Sequence, residues 1–167
     1  DRTMFQNVNV ETKVAGIPLK IPILTGAFGS TEVARINWEG LAVGAALAGA
    51  IITVGENVCG MDVESKMTSG KVTSSPELKR RVDLFRKFWD GKHGDIVVQT
   101  NVEDQRLGID TYAINKLEVN VIERKWGQGA KAIGGEVRIP NLEKAITLKK
   151  RGYIVIPDPE EPAVQQA

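Results

Sequence analysis

A chain of 167 residues that is 42% hydrophobic can bury a single-domain core, which excludes a disordered tail. Lys+Arg 22 against Asp+Glu 21 gives a formal net charge of +1, so no global field recruits nucleic acid or anionic membrane, and no apolar run is long enough to span a bilayer. One cysteine, Cys59, and one histidine, His93, exclude an internal disulfide and leave too few ligands for a zinc or iron–sulfur site made by this chain alone.

A reducing cytoplasm is the expected location, since the N-terminus lacks the basic-then-apolar order of a signal peptide. The first residue, Asp1 rather than Met, points to processing or cutting. Residues 1–20 form the first unit: "VNVETKVAGIPLK", Val8 to Lys20, alternates apolar and polar residues around Ala15-Gly16 and predicts a β-hairpin that packs as a plug or lid.

From residue 21 to 157 the pattern is strand, polar turn, helix, repeated. Ile21 to Leu24 predicts a short buried strand stopped by Gly26 and Gly29, and Ser30-Thr31 predicts a helix start. Ala34, Trp38, Leu41, Ala42 and Ala45 keep helical spacing up to Gly49. Ala50 to Glu56 predicts a second strand, and Met61 to Ser75 an exposed excursion. Pro76 opens a helix with Leu78, Val82, Phe85 and Trp89 on one face, while Lys79-Arg80-Arg81 reads as its solvated side. "GDIVVQT" predicts the third strand, "NVEDQRLGIDTYAINKL" a loop and helix, and "NVIERKW" the fourth strand. A helix follows Pro140, then a short strand "YIVIP" leads into an acidic, proline-rich tail at residues 158–167.

Such alternation implies parallel strands covered by helices, in an open doubly wound sheet or part of a (β/α)8 barrel. In either architecture ligands lie at the carboxyl ends of the strands. Four turns therefore converge on one candidate site: Thr25 to Gly29, Thr53 to Asn57, Gln99 to Asn101 running on to Arg106, and Gly127 to Lys131. Their amides, carboxylate, arginine and lysine suit a polar, anionic, planar ligand.

The loop "KWGQGAKAIGG", Lys125 to Gly135, reads either as a ligand cradle or as a tight surface turn. Gly127, Gly129 and Ala132 match the dinucleotide fingerprint in letters only, because a strand-like piece and a proline intervene before the next helix. Gly129 and Gly134 have phosphate-loop spacing, but Gly135 stands where its lysine belongs. Glu56 reads as an acid or base, or as a capping carboxylate. Cys59 reads as an inert thiol, since His93 falls at the opposite end of the strands.

"GAFGSTEVARINWEGLAVGAALAG", "VEDQRLGI" and "KWGQGAKAIGG" together resemble, in that order, segments of the FMN-binding synthase domain of the glutamate synthase family, above all its stand-alone archaeal-type form. The resemblance implies the N-terminal half of a (β/α)8 TIM barrel carrying FMN, with reduced flavin delivering a hydride to 2-iminoglutarate formed from 2-oxoglutarate and ammonia. It implies that Gly26, Ala27, Phe28 and Gly29 pass the flavin, that Thr53 and Glu56 sit in the second loop, and that Arg106 serves flavin or substrate. Gln128 and Lys131 would bind the oxo acid or the flavin edge, leaving Lys131 and Glu56 as the catalytic candidates.

The family often reads asparagine-threonine-glycine-glutamate and two glycines where this chain has Thr53-Val54-Gly55-Glu56-Asn57-Val58. Its flavin-phosphate loops and iron–sulfur cysteines belong to the later half of the barrel, so a cluster is not ligated by this chain. The implied partners are a second half-barrel polypeptide or another copy, and an electron donor such as ferredoxin or a reductase subunit. Ammonia would come from solution or another subunit. Two alternatives stay open: a non-catalytic half-barrel module, and a flavin-dependent oxidoreductase of another oxo or hydroxy acid.

Overall fold

Alternation in the first twenty residues resolves into a hairpin, β1 (Thr12–Val14) paired antiparallel with β2 (Ile17–Leu19). Its two turn residues, Ala15 and Gly16, both have positive φ, 49° and 84°, the backbone that matches strand twist in a two-residue hairpin. The computed structural model describes residues 2, 4–127 and 138–165.

The remaining elements are β3 (Leu24–Phe28), α1 (Glu32–Ala48), β4 (Ile51–Val54), α2 (Val58–Met61), β5 (Lys66–Thr68), β6 (Lys71–Ser74), α3 (Pro76–Arg86), β7 (Asp95–Thr100), α4 (Val102–Arg106), α5 (Ile109–Leu117), β8 (Val121–Arg124), α6 (Leu142–Lys150) and α7 (Pro162–Gln165). Strands β3, β4, β7 and β8 form one sheet in that order, every pair parallel. Each strand lies beside the one that precedes it in this series, with a helical connection between. The fold is mixed α/β and compatible with a partial (β/α) barrel.

Alternate residues of these strands enter two cores. Ile52, Val54, Ile96 and Val98 pack under the helices with Trp38, Val82, Phe85 and Tyr112. Fully burying apolar side chains of this kind stabilises by about 1.5–3 kcal/mol each. Ile51 and Val97 project from the other face and pack with Leu19 and Ile17 of the hairpin. Backbone bonds fix the hairpin there: Lys20 N–H to the Gly49 carbonyl at 3.1 Å and Gly94 N–H to the Pro18 carbonyl at 2.7 Å. The hairpin thus plugs the amino-terminal end of the sheet, leaving the carboxyl ends to the site.

Helix ends follow their local chemistry. Thr31 Oγ1 accepts the Ala34 amide at the start of α1, and Gly49, at φ 63°, closes it. Ser75 caps α3, whose first residue is Pro76.

Several expectations are corrected. The first sheet strand spans Leu24–Phe28 rather than Ile21 to Leu24, so Gly26, Ala27 and Phe28 lie within a strand and only Gly29 follows it. The excursion at 61–75 folds as the β5–β6 hairpin, because Val72 and Ser75 are buried. The stretch after Asn101 makes two helices, parted at Gly108, where φ is 71°. No strand forms at Tyr153 to Ile156: Gly152 turns the chain at φ 90°, the Tyr153 amide bonds Leu148, and Ile154 and Ile156 stay 91% and 86% exposed. A strand needs a hydrogen-bonded neighbour, and this stretch has none among the described residues. No described helix is long and apolar enough to cross a membrane.

Candidate functional site at the strand ends

Parallel pairing brings the carboxyl ends of β3, β4, β7 and β8 to one rim. The first two ends touch backbone to backbone. A Cβ on Gly55 would stand 2.5 Å from the Gly29 nitrogen and 2.7 Å from its Cα, distances no side chain tolerates. The Gly55 amide donates to the Phe28 carbonyl at 2.8 Å.

Arg81 secures the same turn from below. Instead of lying on a solvated helix face, it is 1% exposed. Its Nη1 donates to the carbonyls of Phe28 (2.8 Å) and Gly29 (2.9 Å), and its Nε to Glu77 Oε1 (2.8 Å). The guanidinium lies 5.0 Å from the Trp38 ring centroid, within cation–π range. Burial pulls its pKa down and Glu77 opposes that shift; a guanidinium keeps its proton regardless.

At the other strand ends, Lys125 Nζ meets Glu56 Oε1 at 2.8 Å across 69 residues of sequence, both side chains largely withdrawn from solvent. Below them, Gln99 Nε2 donates to Glu123 Oε1 between registered neighbours on β7 and β8. The ends of β4 and β7 are clasped by four hydrogen bonds. Asp104 Oδ2 accepts the amides of Asn57 (3.0 Å) and Asn101 (3.2 Å). Asn101 Oδ1 accepts the Asp104 amide (2.9 Å), and Asn101 Nδ2 donates to Asn57 Oδ1 (3.2 Å).

Asp104 is 1% exposed, and burial pushes its carboxyl up to about 6 against the pull of those two amides. Its ordinary value is 3.8. Because the folded value lies above the unfolded one, the unfolded chain ionises first as pH rises. This group therefore costs nothing below about pH 4 and removes up to about 3 kcal/mol of stability above about pH 6. Asp104→Asn is expected to gain little on the parent below about pH 4 and up to that amount above about pH 6, as read from urea denaturation at each pH.

Burial likewise pushes Cys59 up to about 12, so it is no nucleophile near neutral pH. Thr53 is buried on β4, its amide bonded to Thr25 Oγ1 at 3.2 Å. Phe28 turns its ring to Trp38, edge to face at 6.4 Å, on the helix side. Gly26 has open space where a side chain would stand. Arg106 does not join Glu56 and Lys125; its Nε pairs with Glu103 at 2.8 Å and its Nη2 donates to the Arg151 carbonyl at 3.0 Å. Gln128 and Lys131 lie outside the described residues.

Sequence reasoning assigns no role to Asp104, Arg81 or Lys125. Asn101 with an acidic residue three places on is a capping-box pattern that points to Asp104. Arg81 shares the face of Leu78, Val82 and Phe85, four residues after Glu77, which is the signal for an inward arginine. A cavity of about 400 Å³ beside the rim is lined by Arg35, Arg80 and Arg81, but each is paired with Glu32 or Glu77, so little net charge faces an anion there. No group of His, Cys, Asp or Glu able to hold a metal ion occurs among the described residues. Compared with family models, curated proteins and solved structures, the chain matches none.

Proposed function

We propose that the chain is half of an FMN-binding barrel of a glutamate synthase, making glutamate by reductive amination of 2-oxoglutarate. The observation that carries this reading is the strand-end rim, where Lys125 and Glu56 meet beside a four-stranded parallel sheet. Its motifs resemble those of the flavin-binding synthase domain. The residues present fit the cofactor: a Cβ placed on Gly26, on the edge strand, would meet nothing within 4 Å, leaving room for a flat ring. Thr53, Gln99 and Lys125 place polar atoms at or just below the rim.

Bound FMN, when reduced, supplies the hydride. The protein's own part is to hold the β3 turn by Arg81 and Gly55, and to present Lys125 as a fixed cation for an anionic ring or a carboxylate. Glu56 holds or moves a proton at the imine nitrogen. Lys131 and Gln128, outside the described residues, bind the oxo acid or the flavin edge in this reading.

Among the described residues the sheet ends in two unpaired edges, β3 and β8, and Ile23 and Leu24 stay half exposed at the first. Such edges favour a second half-barrel, from another polypeptide or another copy. Val33, Ile36 and Leu47 of α1 are also exposed, an apolar face that a partner covers.

Titrating the chain with FMN, alone and after co-expression with a complementary half, is expected to produce a yellow complex with quenched flavin fluorescence. Glutamate should then form from 2-oxoglutarate, ammonium and reduced ferredoxin, and Lys131→Ala should abolish it. One observation favours the rival, a non-catalytic half-barrel module: the charge of Lys125 is already answered by Glu56. Absence of bound flavin in both preparations decides for that rival, while flavin binding with turnover of a different oxo or hydroxy acid decides for another flavin oxidoreductase.

A further inference from the structure

We infer that Asp104 is a positioning residue for the strand-end site: by taking the amides of Asn57 and Asn101 on one oxygen it fixes the turn that presents Glu56 to Lys125, and its protonation loosens that turn. The positioning role rests on the flavin reading above; the clasp itself does not.

Peptide planarity makes the link. The Asn57 amide shares its plane with the Glu56 carbonyl, so a bond from that amide to Asp104 Oδ2 (3.0 Å) fixes the backbone orientation of Glu56. Asn57 itself sits at φ 65°, a left-handed conformation that asparagine enters more readily than other non-glycine residues when its side chain is hydrogen-bonded. Asn101 Nδ2 holds its side chain at 3.2 Å. The same Oδ2 accepts the Asn101 amide, so the ends of β4 and β7 share one acceptor.

Asp104 Oδ1 is buried and accepts no hydrogen bond among the described residues. A proton added there breaks none of the clasp's bonds, but it turns Oδ2 from a charged into a neutral acceptor, and hydrogen bonds to charged groups are roughly twice as strong. Glu56 at the end of β4 and Glu103 on its own helix act on Asp104 through their charges. Cys59 on α2 and Tyr153 after α6 feel the Asp104 charge, and burial pushes each up to about 12, so both stay neutral while Asp104 titrates. Lys125 lies beyond Glu56.

The test is a pH titration of the isotope-labelled full chain by NMR. The Asn57 and Asn101 amide signals are expected to move together with one midpoint of about 6, with the Lys125 side-chain signal following at the same midpoint. Asp104→Asn, which mimics the protonated acid, should abolish the shared transition. It should also weaken FMN binding about tenfold near neutral pH and hardly at all near pH 5. Flat Asn57 and Asn101 amides in the parent overturn the inference even if the variant does not fold, as does a variant that keeps the transition. If the parent titrates as expected yet binds no FMN, the clasp stands and the flavin reading fails. If the parent binds FMN but neither Lys125 nor FMN affinity responds to Asp104→Asn, the flavin reading stands and the positioning role fails.

Discussion

Replacing Arg81 with methionine is expected to destabilise the chain by about 1.5–3 kcal/mol, because buried carbonyls lose a charged donor while Glu77 keeps its bonds from Arg80. The substitution keeps much of the buried stem but deletes every donor. Glu77 Oε1 loses the bond from Nε, and the carbonyls of Phe28 and Gly29 lose the donor that reaches both. The guanidinium contact with Trp38 goes as well. Chemical denaturation at neutral pH reads the effect directly; a cost below about 1 kcal/mol would mean that the turn holds itself. Arg81→Lys is expected to recover only part of the loss, because an ammonium lacks the planar fork that spans two carbonyls and a carboxylate. Gly55 helps to separate the roles. Since its contact with Gly29 depends on bare backbone, Gly55→Ala should disturb the rim without touching the ion pair.

On the proposed glutamate synthase reading, Glu56→Gln is expected to lower kcat for glutamate formation by roughly 100-fold or more, the range typical of a lost general acid or base. Glutamine retains an oxygen for Lys125 Nζ, so the pairing geometry at 2.8 Å is kept in weaker form while the titratable proton is lost. KM for 2-oxoglutarate should change little. A kcat within about threefold of the parent, or a change confined to KM, assigns Glu56 to holding Lys125 and removes it from proton transfer.

Hydrophobic period and helix caps make the elements of the sheet legible. Thr31, Gly49, Ser75 and Pro76 mark helix ends within a residue or two of where they fall, because those positions answer to local backbone chemistry. Strand β3 departs from its expected bounds for a non-local reason: its pairing with β4 registers Leu24 with Ile51 and Phe28 with Val54, across an irregularity between Leu24 and Ala27. Single-strand patterning carries no information about such a partner. The site is legible to the extent that strand ends can be counted. The Glu56–Lys125 contact joins residues far apart in the chain, and no spacing rule foretells it. Arg81 shows the converse: among three consecutive basic residues it alone shares the face of Leu78, Val82 and Phe85, and it alone is buried.

The hairpin at the amino-terminal end of the sheet also has a practical side. Residues Met4 to Val10 are exposed and lead into β1, and the hairpin is held to Gly49 and Gly94 at the pole opposite Glu56 and Lys125. An affinity tag or fluorophore joined ahead of Thr12 would therefore emerge on the far side of the molecule. It could anchor the chain to a surface while leaving the rim unobstructed.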